Sequence, residues 1–413
     1  MKFINRIALL PALIFSCLLL HAQPPQHRIA TAGKARYAII LSRDADSLTR
    51  FAADELQDYL FRISGAQVRI AEQPLKRFKS IFIGKGWFAK KAASVRLEAM
   101  NNDGFCIFSE DGHFYLGGKR PVGDIYAVYT LLQDYAGCLW PGNGEVYIPE
   151  KPDLKLPEIS LFSQPDFRFR HPHFPDKNKP EYYFPARVHP MDDWGMFVHT
   201  FHKLMPPETY FGSHPEYYSL VNGKRIRDGQ LCLSNPEVIR ILTENLREEI
   251  NKKPDCTYWS VSQNDCINYC ECEKCQALYD QYGSISGAYV HMANQIARQF
   301  PDKQISTLAY QFTRSAPTAI VPDSNVNIMF CSIECNRSQP LATDPRSAGF
   351  VKDMEDWSTL TDNIFMWDYV VQFKTFTCPF PNFSALQPNI HFFREHGVPM
   401  MFQQGSGNSW SDF

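Results

Sequence analysis

The 413-residue chain carries 42 Lys and Arg against 44 Asp and Glu, a net charge of −2. That balance excludes a basic nucleic-acid footprint and a strongly cationic membrane-binding face. Aromatic residues make up 14% of the sequence, which suits a barrel core and equally a cleft where flat rings stack on sugar faces.

Residues 1–22 have the layout of a signal peptide: Lys2 and Arg6 at the start, an apolar run from Ile7 to Leu20, then Ala22 at the cleavage point. The run is short for a bilayer span. Cys17, after Ile14-Phe15-Ser16, loosely fits a lipidation site. However, Leu18-Leu19-Leu20 follow it, where a lipidated mature end would be polar. No other stretch approaches transmembrane length, so the expectation is an exported protein without a membrane span.

Residues 28–150 read as a small α/β domain. Tyr37–Leu41 is a buried-strand run, and Ser47 is placed to cap a helix with Leu48, Phe51, Leu56, Tyr59, Leu60 and Ile63 on one face. Strands are expected at 80–84, 104–109 and 113–118, the last two joined by a turn at Asp111-Gly112. A second helix carries Ile125, Val128, Leu132 and Tyr135 and stops at Gly137. Pro149, Pro152, Pro157 and Pro165 then mark 151–165 as a linker.

From 166 onward, apolar strands alternate with amphipathic helices. Strands are expected at 167–172, 196–201, 230–234, 257–263, 305–310, 326–333, 363–369 and 398–404. Asn235-Pro236 opens a helix with Ile239, Leu242, Leu246 and Ile250 on one face, and Tyr289, Met292, Ile296 and Phe300 form a similar stripe. This rhythm predicts a (β/α)₈ TIM-type barrel over 166–413. The chain stops at Phe413, just after the last strand, where a closing helix would be needed, so a C-terminal truncation is expected.

In a parallel barrel the strand C-terminal ends face the active site. Four polar endings qualify: Asn264-Asp265, Glu334, Asp368-Tyr369 and Gln403-Gln404. Carboxylates converging from different strands suit glycoside hydrolysis, in which one carboxyl protonates the leaving oxygen and a second group supports the anomeric centre. Glu334 leads as the acid, because Cys331 and Cys335 around it suggest an apolar setting that would raise its pKa. His199 and His202, also at a strand end, are candidate sugar contacts. For all of these the competing reading is structural: helix caps, satisfied strand-end amides, ordinary buried histidines.

Cys266, Cys270, Cys272 and Cys275 fall within ten residues, a spacing that fits a structural zinc loop. Disulfides to distant partners such as Cys232 or Cys335, or free thiols, remain alternatives. No cofactor is expected to be required for catalysis. P-loop, GxSxG and dinucleotide signatures are missing from the sequence, which weakens nucleotide-dependent and serine-hydrolase readings.

The stretches HTFHKLMPPETYFGSHPEYYSLVNGKR (199–225), QLCLSNPEV (230–238), SVSQNDCINYCECEKC (260–275), FCSIECNRSQPL (330–341), MWDYV (366–370) and PFPNFSALQPNI (379–390) resemble the domain-of-unknown-function family 4838. That family overlaps glycoside hydrolase family 163. GGKRPVGDIYAVYTLLQDYAGCLWPG (117–142) resembles the small domain preceding the barrel in α-glucuronidases and β-hexosaminidases. The resemblance implies an endo-β-N-acetylglucosaminidase acting on complex N-glycans, exported by a bacterium to the periplasm, cell surface or medium. It implies Glu334 as acid and Asp265 as the group orienting the substrate acetamide. Asp368 and Tyr369 would line the sugar site, with Trp367, Asn264, His199, His202 and Gln403 as further substrate contacts. Two departures stand out: Asn264-Asp265 replaces the Asp-Glu pair of hexosaminidases, and MFQQG (401–405) lacks a glutamate near Gln403. The competing functions are a non-catalytic glycan-binding protein and a metal-dependent sugar deacetylase built on the cysteines.

Overall fold

In the computed structural model the structure describes residues 26–88, 91–142, 144–374, 378 and 380–406, so the leader at 1–22, Cys17 and the last seven positions lie outside the described residues. Among the described residues no helix is long and apolar enough to cross a membrane.

The first unit is a six-stranded mixed sheet: β1 (Tyr37–Leu41), β2 (Ile70–Ala71), β3 (Lys79–Ile83), β4 (Phe105–Glu110), β5 (His113–Gly118) and β6 (Ser160–Ser163), in the order β6-β4-β5-β3-β1-β2. Helices α1 (Ser47–Ser64) and α2 (Pro121–Thr130) bury their apolar stripes against it. The cap of α1 lies one residue before the expected Ser47: Asp46 accepts from the Leu48 and Thr49 amides. Asp111 and Gly112 both take positive φ, 52° and 78°, as a tight turn between antiparallel strands demands. The segment read as a linker also carries two short strands. Lys155–Pro157 pairs with Gln26–Arg28, and β6 pairs with β4, so the prolines bound short edge strands.

The second unit is a curled, all-parallel sheet of seven strands: β7 (Phe169–Pro172), β8 (Trp194–Met196), β9 (Tyr258–Ser260), β10 (Gln304–Ala309), β11 (Val326–Cys331), β12 (Ile364–Tyr369) and β13 (Met400–Gln404). The order is β7-β13-β12-β11-β10-β9-β8. Seven of the eight expected strands are thus present, and among the described residues none lies between β13 and β7. The missing one is 230–234. Its backbone bonds to the neighbouring loops through Ser219 N→Gln230 O (2.8 Å) and Cys232 N→Tyr217 O (2.8 Å), leaving no edge for a barrel strand.

Strand periodicity divides the side chains between two cores. Ile328, Phe330, Ile364, Met366 and Met401 point outward into the layer under the helices. Phe169, Trp194, Tyr258, Leu308, Met329, Phe365, Met400 and Phe402 point inward and fill the curl, bringing all seven strands into one inner cluster. Trp194 of β8 stacks on Tyr258 (5.0 Å) and Phe365 (5.4 Å), and Phe169 of β7 meets the same two rings (6.3 and 5.5 Å), so aromatic packing links β7 and β8, which share no strand pairing. Outside lie α3 (Pro236–Lys252, capped by Asn235), α4 (Glu273–Tyr282), α5 (Ile285–Ala297), α6 (Ala348–Leu360) and α7 (Phe383–Glu395).

Candidate active site

At the C-terminal mouth of the curl a cavity of about 320 Å³ is lined by His199, Asp265, Leu308, Tyr310, Cys331, Ile333, Trp367, Tyr369, Phe373 and Gln404. Its size falls at the lower end of small-molecule sites. The lining follows from strand phase: Leu308 and Tyr310 on β10 and its end, Cys331 and Ile333 on β11 and beyond, Trp367 and Tyr369 on β12, and Gln404 on β13 are all inward positions.

Asp265 sits exposed at this mouth, and its Oδ1 accepts a hydrogen bond from the Tyr310 hydroxyl at 3.2 Å. Gln311 Nε2 donates in turn to the same hydroxyl at 3.0 Å. Burial, reinforced by the Asp265 charge, pushes the Tyr310 phenol well above its ordinary value, so the proton stays on the phenol and points at the carboxylate. His199 holds a left-handed backbone, φ 57°, with its backbone N–H donating to Ser262 Oγ at 3.0 Å. Its Nδ1 lies 2.9 Å from the Gln263 carbonyl, which can only accept. Nδ1 therefore donates to that carbonyl, which leaves Nε2 as the ring nitrogen not engaged by it. A non-glycine residue held there at positive φ, with an imidazole on the cavity wall, is a local strain of the kind found at functional sites. Trp367 packs between Phe197 (5.3 Å) and Phe402 (4.7 Å), and among the described residues its Nε1 has no hydrogen-bond partner.

The other expected site residues are distributed differently. Glu334 is on the same end of the sheet but does not line the cavity. Its side chain is 38% exposed and its Oε2 lies 3.4 Å from Arg314 Nη1, with Arg314 also bonded to Asp353 at 2.7 Å. The apolar surroundings inferred from Cys331 and Cys335 do not apply. Cys331 points into the inner core and Cys335 into the outer one, leaving Glu334 between them facing a guanidinium.

Asp368 and Gln403 are opposite each other in register and turn outward, away from the cavity. Asp368 is buried beneath the helices and accepts from Ser332 Oγ at 3.0 Å; burial raises its pKa against that bond. Asn264 is buried in loop construction, accepting from the His202 amide at 3.2 Å and donating to Gly229 O at 2.9 Å. His202, its pKa lowered by burial, likewise stays off the cavity wall. Tyr310, absent from the expected contacts, lines the cavity, and of the Gln403-Gln404 ending it is Gln404 that does so. The period-2 phase of ISTLAY and MMFQQ was the signal that finds them.

The cysteines also regroup. Cys232, Cys270, Cys272 and Cys275 bring their sulfurs within 4.8 Å of one another, while Cys266 faces Gln230 Nε2 at 3.3 Å instead. None of the four lines the cavity, and a closed set of four thiols offers no open coordination position, so a deacetylase metal centre does not fit them.

A second cavity of about 430 Å³ lies in the first unit, among Asp46, Lys85, Trp87, Lys119, Arg120 and Asp124. Asp44, also on its wall, is exposed and accepts from Ser42 Oγ, and its two other acids are committed to the fold. Asp46 caps α1, and Asp124, pushed up to about 7 by burial, accepts from Thr49 Oγ1 and Gly118 N.

A family profile described as "Domain of unknown function (DUF4838)" matches residues 140–412. The chain belongs to the DUF4838 family. No curated protein matches it. Among solved structures, the DUF4838 chain is similar to a family GH115 4-O-methyl-α-glucuronidase with specificity for decorated arabinogalactans. The two share 10% identity and a TM-score of 0.47, over 92% of this chain and 55% of that one. It is also similar to the Flavobacterium johnsoniae chitobiase, at 10% identity and TM-score 0.49, over 93% and 64%. The Vibrio harveyi GH20 exo-β-N-acetylglucosaminidase gives 11% and 0.47, over 93% and 67%. The DUF4838 chain spans about half to two thirds of the length of these structures.

Proposed function

We propose that this DUF4838 protein is an exported bacterial glycoside hydrolase, an endo-β-N-acetylglucosaminidase acting on complex N-glycans at the strand-end cavity. The observation that carries the reading is Asp265: a carboxylate fixed by a phenol at the mouth of an aromatic-walled pocket. Tyr369 and Phe373 offer faces on which a pyranose ring stacks, with Trp367 forming the wall beside them. With Oδ1 held by Tyr310, the other oxygen of Asp265 is the one available to a substrate.

In the proposed reaction that oxygen accepts the N–H of the substrate's 2-acetamido group. The acetamido carbonyl oxygen attacks the anomeric carbon as the glycosidic bond breaks, and Glu334 gives its proton to the leaving oxygen. Water then attacks the anomeric carbon and returns a proton to Glu334, restoring the acetamide with retained configuration. Glu334 must separate from Arg314 to act as a donor, so substrate entry is assigned the work of displacing that pair. His199 Nε2 is placed to accept from a sugar hydroxyl.

One observation favours a binding-only reading: Asp265 is the single carboxylate lining the cavity among the described residues. Incubation of the full chain with a glycoprotein N-glycan panel, read by product mass, separates the two. Hydrolysis predicts released oligosaccharide that falls at least about a hundredfold in both Asp265→Asn and Glu334→Gln, with oligosaccharide binding retained. Binding without any release by the wild-type chain rejects catalysis. Release unaffected by Asp265→Asn rejects the site.

A further inference from the structure

We propose that Cys232, Cys270, Cys272 and Cys275 form a tetrathiolate site for one structural zinc ion that fixes the floor of the Asp265 loop. A zinc ion with four thiolates at about 2.3 Å places its sulfurs about 3.8 Å apart along the tetrahedron edges. Cys232 Sγ already lies 3.7 Å from Cys272 Sγ and 3.8 Å from Cys275 Sγ, and all four sulfurs fall within 4.8 Å of one another. A disulfide joins sulfurs in pairs, and pairing gives no reason for four to converge on one point. Three of the four residues are buried and Cys272 is half-buried, which describes a closed site rather than an open, water-bearing one.

The surroundings supply what a cluster of thiolates needs. Leu220 N donates to Cys270 Sγ at 3.4 Å, and Arg225 Nη1 stands 3.9 Å from the same sulfur. Ser234 Oγ lies 3.5 Å from Cys232 Sγ and 3.7 Å from Cys272 Sγ. Amide, hydroxyl and guanidinium donors of this kind orient thiolates and offset their excess negative charge. Cys272 also stands at the N-terminus of α4, where the helix dipole favours an anion.

The ligands come from two stretches of chain, Cys232 before α3 and the other three from 270–275. The ion therefore ties the 217–234 segment to the loop that follows β9. From there the link reaches the cavity: Gln230 Nε2 donates to the Asn264 carbonyl at 2.9 Å and to the Cys266 carbonyl at 2.6 Å, bracketing Asp265. The ion's role is positional, and it touches no cavity residue.

The test uses the full chain, purified without chelator, with metal content by plasma mass spectrometry and intact mass without reductant. A zinc ion bound one to one, retained by Cys266→Ser and lost by Cys232→Ser, is the expected result. Loss in Cys266→Ser with retention in Cys232→Ser would overturn the assignment. So would a metal-free chain whose mass is lowered by disulfide hydrogens, or a metal-free chain with free thiols. Should Cys232→Ser not fold, cobalt exchanged into the wild-type chain decides. Strong thiolate-to-cobalt charge-transfer bands with a tetrahedral d–d set support four sulfurs, and their absence rejects them. None of these readouts requires glycosidase activity, so the metal can stand or fall apart from the proposed reaction.

Discussion

Asp265 and Tyr310 come from the ends of neighbouring strands, and their 3.2 Å contact turns a flexible surface acid into an aimed one. Tyr310→Phe keeps the ring, which packs in the inner cluster, and removes only the hydroxyl. Losing a hydrogen bond to a charged group costs about 1.5–3 kcal/mol, or roughly ten- to a hundredfold in rate if the bond matters in the transition state. Glycan release by Tyr310→Phe is therefore expected to fall by that factor in kcat, with KM changed little, while thermal stability stays close to wild type. An unchanged kcat would show that the phenol does not position the carboxylate. At this scale the sequence was half legible. Strand ends pointed to Asp265, Tyr369 and His199, because polar residues ending apolar runs are visible without coordinates, while Trp367 came only through the family resemblance. Asp368 and Gln403 failed through phase: a residue at the correct end of a strand still faces the wrong side if it is one position out. The apolar setting expected around Glu334 is missing because the cysteines beside it in sequence point into different cores.

Among the elements, the strands of the second unit were readable because a strand buried on both faces is a near-continuous apolar run. The sequence 230–234 has the same composition and is not a strand. Its apolar Leu231 and Leu233 enter the outer core from a loop, and no pattern in five residues distinguishes the two cases. β8 came out shorter and earlier than expected because Thr200 and Phe201 bond to the Ser262 carbonyl, turning the chain at His199. The tightest constraint on β8 is Gly195. A Cβ there would sit 2.2 Å from the indole of Trp259, which is fully buried in the outer core. The ring has no free volume to retreat into, and overpacking of this kind costs about 1–3 kcal/mol or more. Gly195→Ala is expected to lower the melting temperature by several degrees. A melting curve that overlays the wild type would mean that β8 slides freely over Trp259.

For the whole molecule, the decisive feature is how the two units are joined. Asp103, from the loop before β4, is 3% exposed and meets Arg170 of β7 at 3.0 Å, His189 at 3.0 Å and Arg120 at 3.1 Å. Burial alone would raise its pKa, but the His189 imidazole and the Arg170 guanidinium outweigh it and hold the carboxyl well below the ordinary range. The sign follows directly. A carboxyl with a depressed folded pKa contributes stability above its unfolded value of about 3.9, and that contribution is lost as pH falls from there toward the folded value. Other acids protonate in the same window, so the useful quantity is the difference between wild type and Asp103→Asn. That difference is expected to be largest at neutral pH, on the order of 3 kcal/mol for one partner removed from a buried pair, and to shrink steadily below about pH 4. Urea unfolding at a series of pH values measures it, and the joint should also show as a lower unfolding transition for one unit. A difference independent of pH would mean that Asp103 acts by shape alone, and that its charge does not hold the cavity-bearing sheet against the first unit.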